Sequence, residues 1–493
     1  MAIPDLTEMT INECPVRNSA IRFPDKTALL SGPERMSYDE LDGRIDSAVR
    51  SLSGSGVLSG VKVGIISENT IQHIIIFFAL LRIGAVAVPV NFRFRFPEIE
   101  KIISGMGIDL VISDMFKADL NNSGINRIGL NDIITKRKVN RRKKDIVTLN
   151  DGGTIILTSG STGIPKGVLL SVANHLANAG GSNKNIVLVP GNKWLLLLPL
   201  YHVGGLAILF RAFLAGAIVS LPEGNAFNIC KEIEDGDITH VSMVSTQLVE
   251  YVSCLESLNK TAPPTLKVVL AGGSYISESL ILNALALNVP VYKTYGLTEM
   301  GSQVTTTESI VDRDRVSTSG SILNHGKLSI SAQSEILVGG ESLFSGYVSE
   351  GRFIQVKIDE EGWFNTGDIG NIGESGDLFL SGRKDNMFIS GGENIFPEEI
   401  ESELLKIKNI AEAIIVSVED KKYGNRPVAF INTGGKKISR NEIVENLKIK
   451  LPGFKVPDRF YYLDSIKPGQ VKRRRSFLKE LAKLGKGLKL ISD

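Results

Sequence analysis

"ILTSGSTGIPKGVLLS", residues 156 to 171, is the stretch on which the rest of the chain turns. An apolar, strand-like run leads into Thr158, Ser159, Gly160, Ser161, Thr162 and Gly163, and Lys166 and Gly167 close it. Glycines let a backbone fold closely around phosphate oxygens, hydroxyls donate hydrogen bonds to them, and a lysine supplies compensating charge. The composition is that of a phosphate cradle. It is not a Walker A loop, which needs glycine at 165, where proline stands. A G-x-G-x-x-G dinucleotide fingerprint does not fit either.

Outward from this loop, helical and strand patterns alternate. "YDELDGRIDSAVRSL" (38 to 52) sets Leu41, Ile45, Val49 and Leu52 at helical spacing, and "VKVGIIS" (61 to 67) follows as a buried strand. "IQHIIIFFALLRIG" predicts a helix ending at Gly84 ahead of the strand "AVAVPV", and the rhythm returns at 110–113, 239–245, 266–273 and 289–296. Strands alternating with helices imply largely parallel sheets covered on both faces. After about residue 315 the texture changes to short strands with glycine turns, which predict a small β-barrel-like subdomain over about 315–384. From Asn394 onward helix, strand, strand and helix follow in a compact α+β pattern. The length of 493 residues suits more than one domain. The expected fold class is α/β: a large N-terminal domain of parallel α/β sheets with the β-rich subdomain, 1–384, then a small α+β C-terminal domain, 385–493.

Composition narrows the function classes. Fifty-six Lys and Arg stand against 54 Asp and Glu, a net charge of +2, so the whole molecule gives no reason to expect a polyanion partner. Two basic clusters are local: "KRKVNRRKK" (136 to 144) and the tail from Lys467 to Lys489, including "PGQVKRRRSF" (468 to 477). No aromatic residues interleave these charges as a stacking platform needs, so they read as solvated surface, with a noncatalytic nucleic-acid-binding protein as the competing reading. The three cysteines, Cys14, Cys230 and Cys254, are far apart and odd in number, which predicts no disulfide framework and no zinc site. The N-terminus "MAIPDLTEMTINEC" places acids and Pro4 where a signal peptide has basic and then apolar residues, which points to the cytoplasm. "WLLLLPLYHVGGLAILFRAFLAGAIVSL" (194 to 221) mimics a membrane span. Pro199, His202, Gly204, Gly205 and Arg211 divide it into strand, turn, helix and strand, the buried core of an α/β domain with no membrane insertion.

The string [ST]-S-G-[ST]-T-G-x-P-K-G, present from Thr158 to Gly167, is the signature of the adenylate-forming superfamily of acyl-CoA synthetases, luciferases and peptide-synthetase adenylation domains. The resemblance covers nearly the whole chain. "YKTYGLTEMGSQ" resembles the family's Y-G-x-T-E motif, which implies Tyr295 against the adenine, Gly296 in the ATP site, Thr298 near the phosphates and Glu299 as the Mg²⁺ partner. "LAGGS" (270 to 274) is similar to the loop beside nucleotide and acyl group, so Gly272, Gly273 and Ser274 join the ATP site. "GWFNTGDIG" resembles the T-G-D motif, in which Asp368 accepts hydrogen bonds from the ribose hydroxyls. "SGRKDNMFISGGENIFPEEIE" resembles the boundary motif: Arg383 contacts the nucleotide, Asp385 is the hinge of a mobile C-terminal domain, and Gly391 and Gly392 line the thiol tunnel. Near the C-terminus "PGQVKRRRSFLKEL" is similar to a T-G-K-[IV]-x-R pattern, with Lys472 as the adenylation lysine, Arg475 as its following arginine, and Gln470-Val471 in place of Thr-Gly.

The implied reaction is two-step acid–thiol ligation with ATP, Mg²⁺ and coenzyme A. A carboxylate attacks the α-phosphate and expels pyrophosphate; the CoA thiol then displaces AMP. For the acid, "PLYHVGGLAILFR" resembles the P-L-[FY]-H-x-x-G segment of CoA ligases, where His202 gates the acyl and pantetheine tunnels. Arg211 in an apolar helix demands an anion, which suggests an acid with a second carboxylate and Ser302 and Gln303 as polar partners. With "TEMGSQVTT" and "DKKYGNRPVAF", the pattern looks most like the o-succinylbenzoate CoA ligases of menaquinone synthesis. A fatty-acid or coumarate-like aryl-acid CoA ligase is the nearest alternative. An adenylation domain loading a carrier protein is another, though no carrier segment is visible. The small-molecule acid, ATP and CoA are the expected partners, and the sequence leaves homo-oligomerisation open.

Overall fold

The computed structural model describes residues 14–133, 153–158, 166–222, 228–309, 315–356, 358–463, 474–484 and 488–492. The basic cluster 136–144, the loop residues Ser159, Gly160, Ser161, Thr162 and Gly163, and Gln470, Val471 and Lys472 lie outside them.

The fold is mixed α/β, as the alternating patterns predict. A nine-stranded sheet runs, in spatial order, through 321–322, 302–306, 291–297, 268–271, 240–243, 193–195, 218–221, 27–31 and 34–37. From Val291–Leu297 across to Thr27–Ser31 every neighbouring pair is parallel, and antiparallel strands cover both edges. An eight-stranded sheet runs through 352–354, 346–349, 166–171, 153–158, 86–90, 62–66, 110–112 and 127–128. Its half from Gly153–Thr158 to Arg127–Ile128 is parallel; the other half is antiparallel.

Two helices are buried around nearly their whole circumference, Ile71–Ile83 and Val203–Ala215. Such helices belong in the middle of a core. Phe77, Phe78, Phe210 and Phe213 meet between them with ring centroids 5.3 to 6.1 Å apart, in edge and tilted contacts. The span-like stretch is thus strand Lys193–Leu195, a turn, the helix Val203–Ala215 and strand Ile218–Leu221. Gly216, at φ 68°, ends the helix in the left-handed conformation glycine favours. Among the described residues no helix is long and apolar enough to cross a membrane.

A four-stranded antiparallel sheet, Gly326–Ile330, Glu335–Gly340, Phe364–Ile372 and Leu378–Arg383, accounts for most of the β-rich texture. The strands Gly346–Ser349 and Arg352–Ile354 from the same stretch leave it for the larger sheet, where Tyr347 pairs with Val168. Beyond residue 388 a three-stranded sheet, 412–420, 424–432 and 459–462, carries helices on both faces. Ile400, Leu404, Ile443, Leu447 and Phe460 fill one side, and Val416, Phe430, Leu478 and Ala482 the other. These apolar clusters have no member before Phe388. Side-chain contacts with the preceding residues include Lys406–Glu278 at 3.3 Å and Asn386 to Glu398 at 2.6 Å.

The cysteine expectation is corrected. Cys230, on helix Ile229–Asp235, and Cys254, on helix Ser245–Leu258, form a disulfide with Cα atoms 6.4 Å apart. The two helices pack side by side, a proximity that 24 residues of sequence separation do not reveal.

Candidate active site

The carboxyl ends of the parallel strands in the nine-stranded sheet open into a cavity of about 900 Å³, where α/β folds usually bind ligands. Strand His240–Met243 delivers Met243 and Val244 to its wall, strand Val268–Ala271 delivers Gly272 and Gly273, and strand Val291–Leu297 delivers Thr294, Gly296 and Leu297. Two close approaches require glycine here. A Cβ on Gly272 lies 2.5 Å from Thr294 Cγ2, and one on Gly296 lies 2.0 Å from the Ser302 carbonyl oxygen. The strand–loop crossings beside the cavity are therefore closed to any side chain at these positions.

Arg211, which is 1% exposed, lines the cavity. Its Nη2 donates to Asn178 Oδ1 at 3.2 Å and to Ser302 Oγ at 3.1 Å, and the guanidinium sits 5.8 Å from the Trp194 ring centroid. Both acceptors are neutral. Among the described residues no carboxylate pairs with it, and its Nε has no partner. Burial pulls its pKa down to about 9. Ser302 holds φ 136°, a strained backbone for a residue with a side chain, between Gly301 in the left-handed region and the buried Gln303. Gln303 Nε2 donates to Thr306 Oγ1 at 2.6 Å, while its Oε1 has no partner among the described residues. His202 precedes the helix Val203–Ala215, lines the cavity, and lies edge-on to Tyr201 with centroids 4.7 Å apart.

A separate polar chain forms around Tyr295, whose neighbours Thr294 and Gly296 line the cavity. Tyr295 OH donates to Asp368 Oδ2 at 2.7 Å, and Arg383 Nη1 donates to Asp368 Oδ1 at 2.9 Å and to the Thr366 carbonyl at 3.1 Å. Burial, reinforced by the Asp368 charge, drives the Tyr295 phenol well above its ordinary value. Burial disfavours the Arg383 cation, but Asp368 outweighs it and the guanidinium ends above its ordinary range.

Strands Gly153–Thr158 and Lys166–Ser171 pair antiparallel, and their last pair is Thr158 with Lys166. Thr158 Oγ1 donates to the Lys166 carbonyl at 3.2 Å. The Lys166 ammonium lies 5.6 Å from the Tyr347 ring centroid, and Tyr347 OH donates to Glu299 Oε1 at 2.7 Å. Lysine, phenol and carboxylate therefore stand in line beside that last pair. Thr298 and Glu299 begin a short 3-10 turn, and Thr298 lines the cavity. Among the described residues no group of three or more His, Cys, Asp and Glu is placed to hold a metal ion.

The structure brings His202, Arg211, Gly272, Gly273, Gly296, Thr298, Ser302 and Gln303 to one cavity. Ser274 follows the two loop glycines, and Tyr295, Asp368 and Arg383 are joined by hydrogen bonds. Gly391 and Gly392, at φ 61° and 91°, turn the hairpin Phe388–Ser390 to Glu393–Ile395; they do not line the cavity. Gly391 N instead donates to the Tyr423 carbonyl at 2.9 Å. Asp385 is exposed, with its carboxylate 3.6 Å from Arg383. Arg475 pairs with Glu401 at 2.8 Å and Glu398 at 3.1 Å, both on the helix Pro397–Leu405.

Sequence reasoning missed Asn178, Tyr347 and His325. Asn174, Asn178 and Ser182 do carry a signal, polar residues spaced four apart on the buried face of helix Val172–Asn185.

The AMP-binding enzyme family matches residues 16–348, and the AMP-binding enzyme C-terminal domain matches residues 399–468. A 2-succinylbenzoate–CoA ligase of Bacillus cereus is 32% identical over 457 residues, 91% of this chain and 93% of that protein. The o-succinylbenzoate CoA synthetase of Bacillus subtilis, solved with the acyl-adenylate intermediate OSB-AMP, is 27% identical with a TM-score of 0.81, over 92% of this chain and 95% of that one. The same enzyme solved with ATP and a magnesium ion is 26% identical with a TM-score of 0.82, over 92% and 96%.

Proposed function

This chain belongs to the AMP-binding enzyme family, and from that premise we propose that it is an AMP-forming acid–CoA ligase whose acid is 2-succinylbenzoate, acting in menaquinone synthesis. One observation carries the choice of acid: Arg211 is a buried guanidinium with only neutral hydrogen-bond partners, lining a cavity large enough for an aromatic acid. A buried cation in that state is costly, and an anionic ligand relieves the cost.

In the first step the aromatic carboxylate rests on Arg211, with Ser302 and Gln303 beside it, and the succinyl carboxylate reaches the α-phosphate of ATP. Both reactants are anions, so the site works by orientation and charge neutralisation. Lys166 and the segment Ser159–Gly163 hold the phosphates with Thr158 and Thr298. The loop Gly272–Ser274 and the Tyr295–Gly296 strand form the wall for adenine and acyl group. Asp368, already accepting from Tyr295 and Arg383, takes the ribose hydroxyls. Glu299 suits Mg²⁺, which binds one or two carboxylates together with phosphate oxygens. That ion, when bound, offsets the triphosphate charge. Lys472 supplies a further cation for adenylation.

In the second step the CoA thiol attacks the acyl carbonyl and AMP leaves. Residues 385–493 act as a mobile domain that turns about Asp385, bringing Gly391 and Gly392 to the thiol path while His202 controls entry between the acyl and pantetheine ends. With ATP and CoA as substrates, the reaction belongs in the cytoplasm.

Pyrophosphate release against a panel of acids tests the proposal. With 2-succinylbenzoate the expected result is release without CoA limited to about one equivalent, and continuous turnover with CoA. Turnover of fatty or coumarate-like acids with 2-succinylbenzoate inert overturns it.

A further inference from the structure

Arg211 does not choose its own orientation. Asn178, 1% exposed on the helix Val172–Asn185, donates through Nδ2 to the Met300 carbonyl at 3.0 Å and the Gln303 carbonyl at 2.8 Å. An amide group has two hydrogens, and these two carbonyls take both. Its Oδ1 is therefore the atom that meets Arg211 Nη2 at 3.2 Å; the flipped amide sets donor against donor and oxygen against two oxygens.

Beneath it, His325 Nε2 lies 2.9 Å from the Gln303 carbonyl and 3.2 Å from Asn178 Nδ2. Burial, with a smaller contribution from the Arg211 charge, lowers its pKa to about 4, so it is neutral and donates through Nε2. Gly181 makes room for this ring, since a Cβ there lies 1.9 Å from His325 Nδ1. Asn178, Gln303 and His325 beside the guanidinium are all neutral groups. They orient the cation without cancelling its charge.

We propose that Asn178 is a specificity-determining positioning residue: its neutral amide oxygen fixes one edge of Arg211 and leaves the positive charge available to a second carboxylate on the acid. This rests on the diacid reading given above. An aspartate of the same shape would still present an oxygen to the guanidinium, with its second oxygen set against the Met300 and Gln303 carbonyls, and its charge would fill that of Arg211 from inside, so the site would then discriminate against the ligand it now selects.

The test compares 2-succinylbenzoate with 4-oxo-4-phenylbutanoate, which lacks only the ring carboxylate, in wild type and Asn178→Asp. The expected result is a rise in KM for the diacid of about tenfold or more, a change under about threefold for the monoacid, and an unaltered KM for ATP. Binding without turnover is read from Trp194 fluorescence, since that indole neighbours Arg211, and the same shift in the diacid titration is expected. If Asn178→Asp does not fold, Asn178→Ala carries the test, with loss of diacid preference again expected. Equal effects on both acids, or an unchanged preference, overturn the role of Asn178 while the diacid reading stands. A wild-type enzyme with no diacid preference overturns both.

Discussion

Arg82 and Arg211 lie on the two helices at the centre of the core, each almost wholly buried, yet their surroundings are opposite. Arg82 donates to Asp42 at 2.5 Å and Asp46 at 2.7 Å, and Arg17 binds the same two carboxylates at 2.8 and 2.6 Å. Burial disfavours the Arg82 cation, but Cys14, Asp42 and Asp46 outweigh that and raise it above its ordinary value. Arg211 has amide and hydroxyl oxygens in place of carboxylates, and burial alone lowers it. A buried arginine with its counter-charges built in is a structural element. One without them, beside a cavity, is on the proposed function a receptor for an anion that arrives from outside.

The contrast is broken most severely at Arg82. Arg82→Ala leaves Asp42 and Asp46 with fewer partners in a dry core and is expected to cost about 3 to 5 kcal/mol in denaturant unfolding, with no change in the KM for acid in the protein that remains folded. Loss of acid affinity without loss of stability would place Arg82 in the site. Arg211→Met reverses the pattern. Stability is expected to change by less than about 1 kcal/mol, because an unpaired buried cation is replaced by an apolar chain of similar size, while KM for the diacid rises about a hundredfold.

A pH series sharpens the comparison further. Arg211 binds an anion only while protonated, and its pKa is about 9 in the free protein against an ordinary 12.5. Diacid KM is expected to be flat below about pH 8 and to climb above about pH 9, by up to about tenfold per unit, while monoacid KM stays level. The same lowering predicts that Arg211's contribution to unfolding stability rises with pH between its folded and unfolded values, because the unfolded chain keeps the proton longer. The smallest effect is at the nucleotide end, where Tyr347→Phe removes the 2.7 Å hydrogen bond to Glu299. It is expected to raise the KM for ATP about threefold and leave that for the acid unchanged.

Much of this was legible in the sequence, for physical reasons that also explain what was not. The rhythm of helices and strands reports local periodicity, so the elements 38–54, 62–66, 71–83 and 86–90 stand close to where the patterns place them. The loop around Gly160, the glycines at 272 and 273, and an arginine inside an apolar helix are local oddities that a stable core does not need. Tyr347 was invisible because its strand pairs with Lys166–Ser171 across nearly 180 residues of chain, and no local pattern marks that pairing. Asn178 looked like one polar residue among several on its helix. Its importance lies in three partners supplied by residues 300 to 325 and one by 211. The Arg17–Asp42–Asp46–Arg82 cluster was hidden for the same reason, since its members come from three separate helices.

On the proposed function, Arg211 is held ready for a carboxylate of the acid. The most direct measurement is the ratio of kcat/KM for 2-succinylbenzoate to that for 4-oxo-4-phenylbutanoate, taken by pyrophosphate release in wild type and Arg211→Met. The expected wild-type ratio is about a hundred or more and falls to near one in the variant, with kcat/KM for the monoacid nearly constant. A wild-type ratio near one, or a ratio that survives the loss of Arg211, contradicts that role.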